Sequence, residues 1–590
     1  MTTEPRALTV IIASALFFLS GLAALVYQVL WMKELSLLFG NSTQAAAATL
    51  TAFFTGIAAG NFYWGSRAPK LARPLLAYGV LELCVTLSAV LYFAIYLAYG
   101  ALYPILFSVF EHTPIIFTLT KFALALLLFF PAAFFMGGTL PVMTQYLVRN
   151  KETLGKRAST LYTINTIGAA SGAIAAGFYL PRALGINNSY LLAMAITLSV
   201  ALIAIILGRK MSPDATPKTT QDTVNTVDKS KQLMAPQTLS LLAWLSGFAA
   251  LALQVLWIRM FAQVLHNSVY TYSAILSTFL VALALGGAIA RELARRQIVM
   301  YWLLPALLTI VALLIGASPL VFHFVTDGAR YIGGNESFVA YLFKIVSIVA
   351  IVIGIPTIML GIVLPYLFKI AEGGGYQPGE TVGRLVTVNT IGAIIGSIVA
   401  GFILLDWIGL WASIKAIATL YLIAAFWLLI ERSNQNSMVK LVPVIGLLLL
   451  STFLDASKLP LVKIDAIGKN ETLLKVWEGA DATVAVVRRD DQLRTKLNNW
   501  YSLGGTADST TQQMQSHLPL LLHPMPKHVF YLGLGTGITA GTALDYKVDK
   551  VTVTEIAPSV IQASKEFFSC LLYTSPSPRD LSTSRMPSSA

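Results

Sequence analysis

Long apolar runs separated by short polar breaks fill the first 430 residues of the chain. A helix needs roughly 20 apolar residues to cross the ~30 Å hydrocarbon core of a bilayer. Six runs of about that length fall near 7–31, 45–65, 75–98, 114–136, 160–180 and 188–207. Six more fall near 238–258, 271–290, 300–322, 338–364, 386–405 and 411–430. Between the two sets, 208–237 is polar and without periodicity, as expected of a linker. A shorter apolar run at 441–454 would reach only ~21 Å as a helix. It is expected to lie at the interface or to be half-inserted. A full crossing would instead carry everything after it to the other side.

From residue 470 the period changes. Residues 473–505 alternate apolar and polar positions, with Asp, Asn and Gly at the breaks, which predicts antiparallel strands. A helix is predicted over 514–526, ended by Pro524 and Pro526, then a strand at 528–532, a helix near 538–545, a strand at 550–556 and a helix at 557–568.

The two apolar sets repeat one another. The segment GLAALVYQVLWMKELSLLFGNS (21–42) matches GFAALALQVLWIRMFAQVLHNS (247–268), placing Gln28 on Gln254, Trp31 on Trp257, Lys33 on Arg259 and Asn41 on Asn267, all at an offset of 226. Further on, INTIGAASGAIAAGF (164–178) matches VNTIGAIIGSIVAGF (388–402) at an offset of 224. Six spans per half is an even number, so both halves enter from the same side and form a parallel repeat, an arrangement common in transporters.

Composition agrees with this reading. The chain is 56% hydrophobic and 12% charged, about half the charge content of a soluble domain. The net charge of +13 is explained by cationic loops, and no run of five basic residues suggests a nucleic-acid partner. The basic loops 66–73, 149–157 and 291–297 place the N-terminus in the cytoplasm, with the chain expected in a bacterial inner membrane. With 441–454 only half-inserted, the C-terminal region is expected in the cytoplasm too. The two cysteines, Cys84 and Cys570, stand far apart, and no His/Cys cluster suggests a metal.

Candidate chemistry inside the spans is sparse. Glu82, Lys121 and Lys344 are ionisable residues within apolar runs, and such residues are functional candidates by default. Lys121 and Lys344 occupy nearly equivalent places in the two halves, where lysines snorkelling from helix ends would look the same. The small-residue rows NTIGAASGAIAAG (165–177) and NTIGAIIGSIVAG (389–401) fit close helix packing or, alternatively, a broken helix at a substrate site. Asn165 and Asn389 could bridge helices in either case.

The C-terminal region offers a sharper pattern. The strand at 528–532 runs into Gly533, Gly535 and Gly537 and then into a helix, and the following strand ends on Glu555. Glycines permit a sharp turn and close approach of backbone to a ligand, and a carboxylate about 20 residues on can accept hydrogen bonds from a ribose diol. Dinucleotides and nucleosides bearing a sulfonium centre both fit this pattern.

Three segments, DATVAVV (481–487), TQQMQSHLPLLLHPMPKHVFYLGLGTGI (511–538) and KVTVTEIAPSVIQASKEFF (550–568), resemble the spermidine synthase-like aminopropyltransferases. The whole chain resembles fused membrane forms in which a transporter-like multispan region precedes such a domain. The resemblance implies a Rossmann-like core behind a small β-stranded subdomain, and decarboxylated S-adenosylmethionine, or a similar nucleoside, as ligand. It further implies that Gly533, Gly535, Thr536 and Gly537 line the nucleoside, Glu555 holds the ribose and Gln512 lies near the thioether end. Family members with synthase activity carry Asp inside the glycine loop where this chain has Thr536, and Tyr before the glutamine where it has Thr511. The family's catalytic Asp follows the fourth strand, beyond residue 568. The Ser-, Pro- and Arg-rich tail 569–590 shows no strand pattern, resembles translated adapter sequence, and suggests a truncated domain.

The expected architecture is therefore membrane repeat 1 (1–207), linker (208–237), membrane repeat 2 (238–430), connector (431–469), β-stranded subdomain (470–527), the start of a Rossmann-like core (528–568) and a non-native tail. The fold class is a multispan α-helical membrane protein followed by a partial α/β domain. The expected partners are the lipid bilayer and a small amine or nucleoside. The expected function is aminopropyl transfer in polyamine biosynthesis. The alternatives are a polyamine-type transporter with a nucleoside-binding soluble domain, or a scaffold whose soluble domain has lost catalysis.

Overall fold

The computed structural model describes residues 7–39, 43–110, 113–148, 153–210, 234–266, 268–296, 302–333, 337–373, 377–431, 437–452, 454–456, 459–464, 470–479, 482–499, 501–569 and 582–585. Most of the 208–237 linker lies outside the described residues.

Each apolar run becomes a helix, because a backbone out of reach of water must satisfy its polar groups within its own segment. In the first half these are α1 (Ala7–Phe39), α2 (Thr43–Arg67), α3 (Pro74–Phe110), α4 (Pro114–Leu147), α5 (Leu154–Ile174) and α6 (Leu180–Lys210). In the second they are α7 (Pro236–Phe261), α8 (Val269–Arg295), α9 (Leu303–Val325), α10 (Phe338–Ile370), α11 (Pro378–Val399) and α12 (Leu405–Glu431). Among the described residues, nine continuous helical stretches are long and apolar enough to cross a membrane. Two of them join a pair of helices, 154–210 and 378–430. Each joined stretch holds a π-helical turn, at Ala175–Tyr179 and Ala400–Leu404. Each then loses helical geometry at one glycine, Gly185 (φ 78°) and Gly409 (φ 75°), a backbone state that glycine adopts without strain.

Neighbours are matched across the halves: α1 packs on α5 as α7 does on α11, α2 on α4 as α8 on α10, and α3 on α6 as α9 on α12. The halves meet where α2 touches α11 and α5 touches α8. The small-residue rows serve the α1–α5 and α7–α11 contacts within each half. A side chain at Gly21, Gly168 or Gly172 would run into the backbone across the α1–α5 contact, and one at Gly247, Gly392 or Gly396 would do so between α7 and α11. The break in helical geometry follows the rows instead of interrupting them.

The basic residues Arg67, Lys156, Arg157, Arg209, Lys210, Arg295 and Arg296 mark one end of the bundle. There the halves are stitched by Gly155 N–H donating to Glu372 (2.8 Å), Ser159 to the Pro365 carbonyl (3.1 Å) and Gly379 N–H to Gln145 (3.2 Å).

After α12 the chain forms α13 (Ser437–Thr452), packed lengthwise between α9 and α12. Gly446 of α13 lies against Leu422 and Thr309, and Leu450 and Leu454 against Gly316. Lys415 donates to Asp455 at 3.1 Å, and Trp411 Nε1 to the Leu459 carbonyl at 3.2 Å. This helix thus climbs from the basic end to the opposite end of the bundle. The expectation put 441–454 half-inserted and the soluble domain on the side of the basic loops; here the soluble domain packs on the ends of α7 and α12 remote from those loops. Only one face of α13, Pro443, Gly446 and Leu450, is buried against α9 and α12, while Val442, Val444, Ile445, Leu447 and Leu448 stay exposed.

The soluble part begins with an antiparallel sheet of β1 (Glu471–Glu478), β2 (Thr483–Arg489), β3 (Gln492–Leu497) and β4 (Tyr501–Gly505), in sequential order. Helix α14 (Ser509–Leu522) leads to β5 (His528–Leu532), the short α15 (Ile538–Gly541), β6 (Lys550–Glu555) and α16 (Pro558–Phe567). Strands β5 and β6 are parallel, and a third parallel strand, β7 (Ser582–Arg585), pairs with β6 from Thr552↔Ser582 to Glu555↔Arg585. That strand lies in the tail where the sequence shows no strand pattern. At four residues it is too short for alternation to show, and ladder bonds to β6 place it.

Candidate functional site

The glycine turn sits at the seam between the two sheets. Val484 and Val486 of β2 share one buried cluster with Ile538, Val560, Ala563 and Phe568. This apolar contact presses the antiparallel sheet onto the helices that follow β5 and β6.

Within the turn, Gly533, Gly535 and Gly537 have φ of 98°, 57° and 87°. Any L side chain would be strained in that region, so the backbone path requires glycine. Gly533 N–H donates to the Thr554 carbonyl at 2.8 Å, extending the β5–β6 ladder, and Gly537 N–H to the Leu534 carbonyl at 2.9 Å. A methyl group at Gly533 would meet open space, so one side of the turn faces solvent.

Glu555, at the end of β6, accepts from Leu534 N–H at 2.9 Å and from Ala557 N–H at 3.0 Å. One carboxylate thus ties the glycine turn to the turn after β6. A carboxylate has about four acceptor positions, so capacity remains for a ligand hydroxyl. Ile556 beside it is 52% exposed and offers an apolar face.

Thr536 and Gln512 are both buried. Thr536 Oγ1 donates to Gln512 Oε1 at 2.5 Å, Gln512 Nε2 to the Gly505 carbonyl at 2.9 Å, and Ser564 Oγ to the Thr536 carbonyl at 2.7 Å. A hydroxyl at position 536 fits this chain because Gln512 presents its oxygen; an aspartate would set two acceptors against each other. Burial pushes the nearby Tyr531 hydroxyl above its usual range, while its bond to Ser516 works against the shift.

The structure therefore gathers Gln512, Gly533, Gly535, Thr536, Gly537 and Glu555 at one seam. The membrane candidates separate. Asn165 and Asn389 line the same cavity of about 300 Å³ between the halves. Glu82 lies one step behind its wall, accepting from the lining residue Ser20 at 2.5 Å. Lys344 is exposed and does not line the cavity. The side chain of Lys121 lies outside the described residues.

Sequence reasoning passed over the joint between soluble domain and bundle. Arg259 of α7 is 4% exposed and donates to Thr483 (2.8 Å), Asn498 (2.9 Å) and the Gly479 carbonyl (3.2 Å). Gln263 donates to Thr483 at 3.0 Å, Lys463 to Asp327 at 2.9 Å, and Leu410 N–H to Glu478 at 2.8 Å. The one available signal was that Lys33 becomes arginine at the matching position of the second half. A planar fork reaches several acceptors where a lysine cannot.

Residues 509–579 match the family described as spermine/spermidine synthase domain. The polyamine aminopropyltransferase of Oceanobacillus iheyensis is 22% identical over 333 residues, 55% of this chain and 62% of that protein. That of Leptospira interrogans is 22% identical over 312 residues, 52% of this chain and 59% of that protein. The chain thus spans less than two thirds of the length of these curated relatives. Because only 121 residues follow position 469, both matches reach well into the helical region. The sequence-based resemblance to fused membrane synthase-like proteins is thereby supported from both parts of the chain. The crystal structure of a variant of the Escherichia coli fucose:proton symporter aligns over 73% of this chain and 99% of its own, at 14% identity and a TM-score of 0.46.

Proposed function

We propose that this is an integral membrane aminopropyltransferase-type protein. Its soluble domain binds decarboxylated S-adenosylmethionine or a closely related nucleoside, and its helical part is two parallel six-helix repeats. The observation that carries the reading is the convergence of three left-handed glycines and Glu555 at the ends of β5 and β6. Gly533, Gly535 and Gly537 let the backbone approach the nucleoside, Glu555 accepts from the ribose diol, and Ile556 supplies an apolar surface for the base. Matching helix contacts and matching breaks at Gly185 and Gly409 support the repeat.

In aminopropyl transfer, an amine attacks the carbon beside the sulfonium. A C–N bond forms, the C–S bond breaks with its electrons going to sulfur, and the attacking amine loses a proton to a base. The sulfonium is a good leaving group, so positioning supplies most of the catalysis. Thr536 cannot pair with an ammonium as an aspartate would, so the amine must be oriented by groups other than this loop. Soluble domain and basic loops lie at opposite ends of the bundle. With the basic loops cytoplasmic, the nucleoside site faces the far side.

Equilibrium binding of labelled decarboxylated S-adenosylmethionine to the full chain tests the reading. Saturable binding that falls at least about tenfold in Gly535→Val and Glu555→Gln is expected. Binding indifferent to both substitutions would sink it. Thiol labelling of Ser502→Cys in intact cells tests the side: labelling by an impermeant reagent is expected, and labelling only after lysis would overturn that placement.

A further inference from the structure

We infer that the cavity between the membrane halves is a binding site for a small uncharged solute rich in hydrogen-bonding groups. Polyamines and other ions are excluded by its wall. This inference stands apart from the soluble-domain site. The wall is built twice from the repeat: Gln28 and Gln254, and Asn165 and Asn389, are matching positions of the two halves and all four line the cavity. Gln28 and Gln254 are 7% and 4% exposed, and their side-chain amides have no hydrogen-bond partner among the described residues. Asn61, 2% exposed and also on the wall, donates to the Ile57 carbonyl at 2.9 Å while its Oδ1 has no partner among the described residues. Asn389 uses only its Nδ2, toward the Ala243 carbonyl.

Buried amides left unpaired are costly, and native structures pair nearly all of them. Two buried glutamine amides without a partner among the described residues and the spare oxygen of Asn61, around one space, therefore point to an occupant that satisfies them. Among the described lining residues none is charged. A cation would be stripped of water with no carboxylate to meet it, since Glu82 stands behind Ser20, and an anion would find no cation. A neutral molecule offering both donors and acceptors meets the wall at lowest cost. About 300 Å³ is at the small end of ligand sites, which suits a molecule the size of a monosaccharide or a nucleoside.

The test is equilibrium dialysis of the purified full chain with labelled D-glucose and labelled adenosine as uncharged probes and labelled putrescine and succinate as charged ones. Saturable binding of at least one uncharged probe is expected. It should weaken at least about tenfold in Gln28→Leu and in Gln254→Leu, as loss of hydrogen bonds in a dry site requires. Leucine is at home between membrane helices. Should these variants fail to fold, Ala24→Cys and Ala250→Cys, made with Cys84→Ser and Cys570→Ser, report instead: the bound probe should slow their labelling by an uncharged maleimide at least about fivefold. Putrescine or succinate binding that depends on the glutamines would overturn the inference. So would the absence of binding by either uncharged probe. Adenosine binding lost in Glu555→Gln but kept in Gln28→Leu would assign that probe to the soluble domain, and without glutamine-dependent binding of D-glucose the cavity assignment would fall.

Discussion

The two membrane halves are cut from one pattern yet carry different loads. Both fold the same helix pairs, both bury a tryptophan at the same register (Trp31 and Trp257), and both break at one glycine. The first half buries Glu82 within α3, whereas among the described residues of the matching helix α9 none is acidic. The second half carries Arg259, which holds the soluble domain, where the first has Lys33. The repeat supplies the scaffold, and single departures from it supply the specialised contacts.

The sharpest way to break this comparison is at the joint. Arg259→Ala removes a charged donor from three acceptors, and each such bond is worth about 1.5–3 kcal/mol. Undocking of the soluble domain is expected, read as loss of hydrogen-exchange protection across β2 and β3. Lys33→Ala should leave those amides protected. Equal loss in both variants would contradict the division of labour.

The shared scaffold gives the next largest effect. Gly21→Val and Gly247→Val each drive a side chain into the backbone of the neighbouring helix, and overpacking costs roughly 1–3 kcal/mol. The two should lower the melting temperature of the full chain by similar amounts. A large effect in one half alone would mean that the repeat is not a repeat in packing.

A smaller change sharpens the reading of the glycine turn. Thr536→Ala removes one buried hydrogen bond and strands the Gln512 oxygen, which should destabilise the soluble domain by about 1 kcal/mol. Thr536→Asp should be worse, since it adds a second acceptor beside Gln512. Improved stability of the aspartate variant would show that Gln512 turns its amide over to meet it.

The smallest expected effect is the pH dependence of the joint. Burial holds the Glu478 carboxyl above its usual 4.5, opposed by the Leu410 N–H and by Arg259. Its contribution to docking is therefore complete below 4.5 and is lost as pH rises through the raised value. Asp327 is held below its usual 3.8 by its bond to Lys463, so its contribution is present above 3.8 and lost as pH falls through the lowered value. Docking should be tightest near pH ~4, between these two limits, and Glu478→Gln should flatten the loss toward neutral pH. A limb unchanged by that substitution would remove Glu478 from the account.

Much of this was legible from the chain alone. Apolar run length located each helix, because a bilayer leaves a backbone no other way to bond itself, but not its ends: α3 runs on to Phe110 and α4 to Leu147, well past the apolar runs at 75–98 and 114–136. The matched rows after Asn165 and Asn389 announced close packing, and the glycines with Glu555 announced a turn beside a carboxylate. Each of these is a local pattern, readable because its physics acts between residues near in sequence. What tertiary structure alone decided lies between residues far apart. Residues 441–454 are short on length, yet they pack along α9 and α12, and the soluble domain docks on the end of the bundle remote from the basic loops. Gln28 and Gln254 read as ordinary repeat positions until the halves close around a shared space. Thr536 read as a lost aspartate until Gln512, which turns its oxygen toward position 536 only in the folded seam, proved to be the partner of its hydroxyl.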